Sequence, residues 1–176
     1  MADEFEPDAR LWYFAYGSNL HRDVFIGRRQ MQPLDVHWGW LAGYRLCFNI
    51  PVGPGERGVA NIAPDPAQQI CGALYLLTTA DCERLDNSEG VGVGLYRRTP
   101  VGIVTGTGKR VGGFTYQSSV IAEGRKPSPR YMGLVLEGAR QHGLPAEWIA
   151  SLHTFPLAVD ERAAGGQPGS AASSRS

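Results

Sequence analysis

Leu11-Trp12-Tyr13-Phe14-Ala15-Tyr16-Gly17-Ser18-Asn19-Leu20 is the stretch on which the fold turns. Leu11 to Tyr16 are apolar or aromatic without a break, and the run stops at Gly-Ser-Asn. Such a run, bounded by turn residues, reads as a buried strand ending in a tight turn. Leu20 to about Arg29 then reads as a short helix, with Ser18 or Asn19 as N-cap. A strand that ends in Gly-Ser-Asn ahead of a helix offers backbone N–H groups to a carboxylate or phosphate. Gly17 lets a second group approach the backbone closely. A plain N-capped turn accounts for the same residues, and spacing alone favours it.

Outward from this stretch the chain is strand-rich. Val36 to Ile50 reads as one or two strands, and residues 51–58, Pro-Val-Gly-Pro-Gly-Glu-Arg-Gly, as a loop. Val59–Ala63 is a short strand, Pro64-Asp65-Pro66 a turn, and Ile70–Leu77 a strong strand. Thr78-Thr79-Ala80-Asp81 carries the Ser/Thr-x-x-Asp/Glu capping pattern, opening a helix expected to stop near Asp86-Asn87. Tyr96–Val104 and Val111–Val120 flank Thr105–Lys109 as a hairpin-like pair. Ser128 as N-cap and Pro129 at the first helical position open a helix to Gln141. A last helix runs from Pro145 through about His153. The sum is a curled, mostly antiparallel sheet with a few short helices, an α+β domain. Residues 1–10 read as a loose segment, 11–160 as one domain, and 161–176 as a disordered Gly/Ala/Ser-rich tail.

Composition narrows the classes. Lys+Arg is 17 and Asp+Glu is 17, so the chain is formally neutral. That argues against a nucleic-acid binder and against a polybasic membrane-surface protein. Gly 23 and Pro 12 exceed ordinary usage and exclude a helical bundle. Cys47, Cys71 and Cys82 are odd in number and form no CxxC pair, so no disulfide framework is expected. The acidic start lacks the apolar core of a signal peptide. No apolar run approaches the ~20 residues of a spanning helix. A soluble, reduced, cytoplasmic protein is expected, without membrane or nucleic-acid partners.

Several chemistries find no support. His21, His37, His142 and His153 are scattered, so no metal site is expected. There is no GxSxG elbow and no Walker loop. Gly92-Val93-Gly94 and Gly106-Thr107-Gly108 are too short for a dinucleotide fingerprint and read as turns. No cofactor is expected. One acid stands out: Glu89, within Asp86-Asn87-Ser88-Glu89-Gly90-Val91-Gly92-Val93-Gly94-Leu95-Tyr96. Small, apolar surroundings that desolvate a carboxylate turn it into a useful base near neutral pH. On its own, a solvated loop acid is the simpler reading.

Three segments in order change that balance. Tyr13–Leu20, Leu85–Val91 with Gly94-Leu95-Tyr96, and Pro127–Tyr131 followed by Gly138–Pro145 together resemble the γ-glutamylcyclotransferase family. The resemblance spans about Leu11 to Phe155. It implies a γ-glutamylcyclotransferase-like fold, a small mixed β-barrel flanked by short α-helices, closed, with a cavity at one end. It implies Glu89 as catalytic acid/base. It implies a substrate pocket lined by Tyr13, Phe14, Ala15, Tyr16, Gly17, Ser18 and Asn19, with the Gly17-Ser18 backbone gripping the glutamyl group. Tyr131 becomes a further substrate contact and Tyr116 a pocket wall. Ser88, residues 51–58 and His21 to Arg29 depart from the family's pattern, which bears on the leaving group more than on the chemistry.

The reaction this implies is γ-Glu–X → 5-oxoproline + X, with a small-molecule γ-glutamyl substrate. The substrate's own α-amino group is the nucleophile, so no serine, cysteine or metal is required. Other readings stay open: removal of a γ-glutamyl protecting group from a natural-product intermediate, a γ-glutamylamine substrate, hydrolysis to free glutamate, and a non-catalytic binding module. The oligomeric state is not readable, and a homodimer stays open.

Overall fold

The computed structural model describes residues 9–159. The expected tail, residues 161–176, lies outside the described residues, as do residues 1–8 of the expected loose segment. Five strands close a barrel: β1 (Arg10–Ala15), β2 (Asp35–Pro51), β3 (Gly58–Thr78), β4 (Arg97–Thr105) and β5 (Arg110–Gln117), in the order β1-β3-β2-β4-β5. Three helices flank it: α1 (Thr79–Glu89), α2 (Pro129–Gln141) and α3 (Ala146–Leu152). None of the described helices is long and apolar enough to cross a membrane.

The opening stretch does form a strand in the heart of the barrel. β1 runs antiparallel to β3, from Arg10↔Thr78 to Ala15↔Ala73, and meets β5 in parallel at Tyr13↔Phe114. Because both of its edges are paired, Phe14 and Ala15 are wholly buried. Removing a side chain the size of Phe14 from water contributes about 1.5–3 kcal/mol. Gly113 permits the β1–β5 closure, since a Cβ there would lie 2.4 Å from the Trp12 carbonyl oxygen.

Several expectations are modified. Val36 to Ile50 is a single strand. The two expected strands on either side of Pro64 are one, β3, because both halves pair with the same neighbour, β2. The turn survives inside it as a bulge. Pairing jumps from Tyr44↔Pro64 to Ala42↔Gln69, and the Asp65 carboxylate accepts from the Ala67 N–H at 3.0 Å.

The helix expected from Leu20 to Arg29 does not form as an α-helix. Ser18–Leu20 is a 3-10 turn, whose cap residue Gly17 supplies no side-chain bond. Asp23–Arg28 is a π-helix, with the Arg29 N–H reaching back to the Val24 carbonyl at 3.0 Å. It ends at Gln30, the one non-glycine residue with positive φ (53°) among the described residues. The wider turn seats Phe25 on Tyr75, ring centroids 4.1 Å apart. Tertiary packing of that aromatic outweighs the local preference for 3.6 residues per turn.

The two capping signals hold. The Thr78 side chain accepts from the Asp81 N–H at 3.2 Å, and Ser128 accepts from the Tyr131 N–H at 3.1 Å with Pro129 opening α2. α1, however, continues past Asp86-Asn87. It stops where Gly90 takes the left-handed conformation, with φ of 70°. Glu89 is therefore the last residue of a helix, not a loop acid.

Candidate active site

β1, the turn after it, the end of α1, β5 and α2 converge on a cavity of about 250 Å³. Its wall includes Tyr13, Tyr16, Gly17, Ser18, Asn19, Glu89, Tyr116 and Tyr131. Of the residues singled out in the sequence, Phe14 and Ala15 are absent from that wall. Both are fully buried in the core, where Phe14 packs over Gly72. The turn is held from behind. The Tyr75 hydroxyl donates to the Asn19 carbonyl at 2.9 Å, and His142 Nε2 lies 2.9 Å from the Leu20 carbonyl and 2.8 Å from Tyr75. With the Tyr75 proton on Asn19, the His142 N–H serves the other two oxygens.

Glu89 sits at the C-terminal end of α1, where the helix carries partial negative charge and an anion is disfavoured. Its surroundings are polar, unlike the apolar setting the sequence suggests. Oε1 accepts from Asn19 Nδ2 at 2.8 Å and lies 3.3 Å from Arg29. The same Asn19 amide donates to the Tyr13 hydroxyl at 2.8 Å. Arg29 is itself steadied by donation to Ser88 Oγ at 2.6 Å, and Ser88 donates to the Leu85 carbonyl. No hydrogen bond among the described residues falls on Glu89 Oε2. Asn19 Oδ1 and Arg29 Nε are buried and unpartnered in the same wall.

Arg29 and Tyr96 are among the wall residues that pattern reading passed over as site residues. Tyr96 was visible within the Glu89 segment, ahead of β4. Arg29 carried no signal, because its placement depends on the π-helix. Gly17 does bring groups close: a Cβ there would lie 2.9 Å from the Tyr131 hydroxyl. That hydroxyl accepts from the Ala60 N–H at 3.2 Å and meets Ser18 through both its backbone and its side chain.

The titratable lining sorts itself. Burial, with the Glu89 charge adding to it, pushes the Tyr13 phenol well above its ordinary range. Burial does the same to Tyr16, Tyr96, Tyr116 and Tyr131. Tyr116 is further committed by donating to Asp86 at 2.6 Å, a carboxylate that also holds Arg98 at 2.8 Å. These phenols stay neutral at ordinary pH, and Arg29 stays charged. Among the described residues, Glu89 is the carboxylate in this wall.

The described residues form a closed five-stranded barrel with one carboxylate in a tyrosine-walled cavity, and the model of the AIG2-like family matches residues 69–152. A γ-glutamylcyclotransferase of Bos taurus is 31% identical over 147 residues, which cover 81% of this chain and 77% of that protein. The γ-glutamyl cyclotransferase aclK of Aspergillus oryzae is 32% identical over 179 residues, covering 87% of this chain and 65% of its own length. A solved γ-glutamyl cyclotransferase structure superposes with a TM-score of 0.75 at 27% identity, over 85% of this chain and 89% of that one. The chain belongs to the γ-glutamylcyclotransferase family.

Proposed function

We propose that the protein converts a γ-glutamyl amino acid or amine into 5-oxoproline and the free amine, with Glu89 as proton carrier. The observation that carries this reading is the state of the wall: buried neutral phenols, and one carboxylate held by Asn19 and Arg29 at Oε1, with no hydrogen bond from the described residues at Oε2. In this reading the α-ammonium gives a proton to Glu89, and the freed amine attacks its own γ-carbonyl. The new N–C bond closes a five-membered ring, the amide C–N bond breaks, and the proton passes to the departing nitrogen. The second ammonium proton leaves by the same route, so the amine departs protonated. Holding the two ends of one molecule in reacting geometry supplies an effective molarity of ~10⁵–10⁸ M, so the protein's share is orientation and proton transfer. Oε1, held by Asn19 and Arg29, fixes the carboxylate; Oε2 takes the proton.

The other assignments belong to the same proposal. Tyr13, Tyr16, Asn19 and Tyr131 contact the glutamyl group, and the Gly17-Ser18 turn grips it. Tyr116 buttresses the wall, with its hydroxyl turned to Asp86. Glu89→Gln tests the mechanism, since it keeps the shape and loses the proton. It should retain fold and substrate binding and lose at least about 10²-fold in turnover, within the usual range for general acid–base catalysis. Near-normal production of 5-oxoproline, read by mass, would falsify the mechanism. Free glutamate in place of 5-oxoproline would make the protein a hydrolase.

A further inference from the structure

Beside the catalytic cavity lies a second cleft, of about 260 Å³. Arg28, Arg57 and Arg130 line it, together with Ser128, Val59 and Tyr131. Val59 and Tyr131 belong to both spaces. The link is also made by sequence: Arg28 faces this cleft and its neighbour Arg29 faces the catalytic cavity, so the end of the π-helix delivers one guanidinium to each. The two spaces adjoin at Val59 and Tyr131.

Among the described residues, the charge of the cleft is unbalanced. Arg29, Arg84, Arg98 and Arg140 each have a carboxylate partner. Among the described residues, Arg28, Arg57 and Arg130 have no ion pair, and Arg57 Nε is buried without a hydrogen-bond partner. Glu56, on the same loop as Arg57, lies 3.8 Å from Lys126. Ser128 caps the thirteen-residue α2, whose N-terminal partial charge is also positive. Three like charges lining one cleft concentrate anions, and the guanidinium fork matches a carboxylate two bonds at a time.

We propose that this cleft is the leaving-group subsite, and that it selects γ-glutamyl substrates whose leaving amine carries carboxylates, an acidic amino acid or acidic peptide ahead of a neutral amine. The proposal rests on the cyclotransfer reading. The glutamyl group occupies the Glu89 cavity, the scissile amide lies at Tyr131 and Val59, and the departing amine extends between the three arginines. Arg57 belongs to residues 51–58, the loop that departs from the family's pattern.

Two matched pairs test it: γ-Glu-Asp against γ-Glu-Asn, and γ-Glu-Ala against γ-Glu-alaninamide, with 5-oxoproline as readout. Within each pair the charged member should have the higher kcat/KM, about tenfold for the first pair, and the ratio should shrink at high salt. Arg57→Gln and Arg130→Gln, each checked for fold by circular dichroism, should lower the Asp/Asn ratio through a raised KM for the aspartyl substrate. Equal kcat/KM within both pairs, or a ratio that neither variant changes, overturns the subsite while leaving cyclotransfer standing. If none of the four substrates yields 5-oxoproline, the cyclotransfer reading itself falls, and the subsite with it.

Discussion

Glu89 depends on residues that do no chemistry themselves. Arg29 bridges it to Ser88, so a change at either end moves the carboxylate. Arg29→Met removes the cation beside a buried anion at a helix C-terminus. A hydrogen bond to a charged group is worth about 1.5–3 kcal/mol. Even part of that, felt in the transition state, lowers kcat by roughly tenfold or more. Arg29→Lys keeps the charge without the two-armed fork and should fall between. Steady-state kcat and KM on one γ-glutamyl substrate decide it; a wild-type kcat in Arg29→Met would show that Glu89 needs no such partner. At this scale the sequence was informative where a side chain's role follows from its neighbours in the chain. Tyr13, Gly17 to Asn19 and Glu89 fall into recognisable strings. Phe14 and Ala15 lie in the same string but not in the cavity wall, because resemblance marks a segment and not which of its side chains face inward. Arg29 left no trace, since its position comes from a π-turn fixed by Phe25 packing on Tyr75.

Among the elements, α2 does most to hold the site together, by clamping the turn after β1. The contact is made at Gly138, where a Cβ would lie 2.6 Å from the His21 nitrogen and the Leu20 carbonyl carbon. Two effects compete in Gly138→Ala. Helix propensity favours alanine by about 1 kcal/mol. Backbone at 2.6 Å cannot yield without moving the turn, and overpacking costs typically about 1–3 kcal/mol. The clash wins, so the variant should unfold at lower temperature than the wild type and bind substrate less well. A raised Tm, from thermal denaturation followed by circular dichroism, would mean that α2 can shift. The helices were legible at their starts, where Thr78 and Ser128 cap as their sequences require. The ends of α2 and α3 were legible as well, but that of α1 was not: α1 passes through Asn87 and Ser88 because Gly90 supplies the left-handed stop further on.

For the molecule as a whole, the strands could be read from their apolar runs, whereas closure into a barrel could not. Pairing of β1 with β5 rests on residues a hundred positions apart, and it was the family resemblance that implied it. One group ties this assembly to pH. Burial holds the His142 imidazole below its ordinary range; Arg22 adds to this, and the bond to the Leu20 carbonyl opposes it. The unfolded chain thus binds this proton more readily than the folded one. Stability should rise with pH between the depressed value and about 6.5, and be lost as pH falls below about 6.5. Urea unfolding across pH 5 to 7.5 should show a shallower slope in His142→Gln than in wild type; an unchanged slope would place the pH dependence elsewhere.

The parallel contact Tyr13↔Phe114 has a consequence in time as well as in space. The cavity draws on Tyr13 near one end of the chain and Tyr131 near the other, so its walls meet only after distant segments have found each other. Loops of that span close at an entropic cost before any contact rewards them, and chains dominated by such contacts fold slowly. During synthesis, Glu89 emerges before Tyr131, which shares its cavity. The cavity is therefore complete only once the segment carrying Tyr131 has joined the barrel.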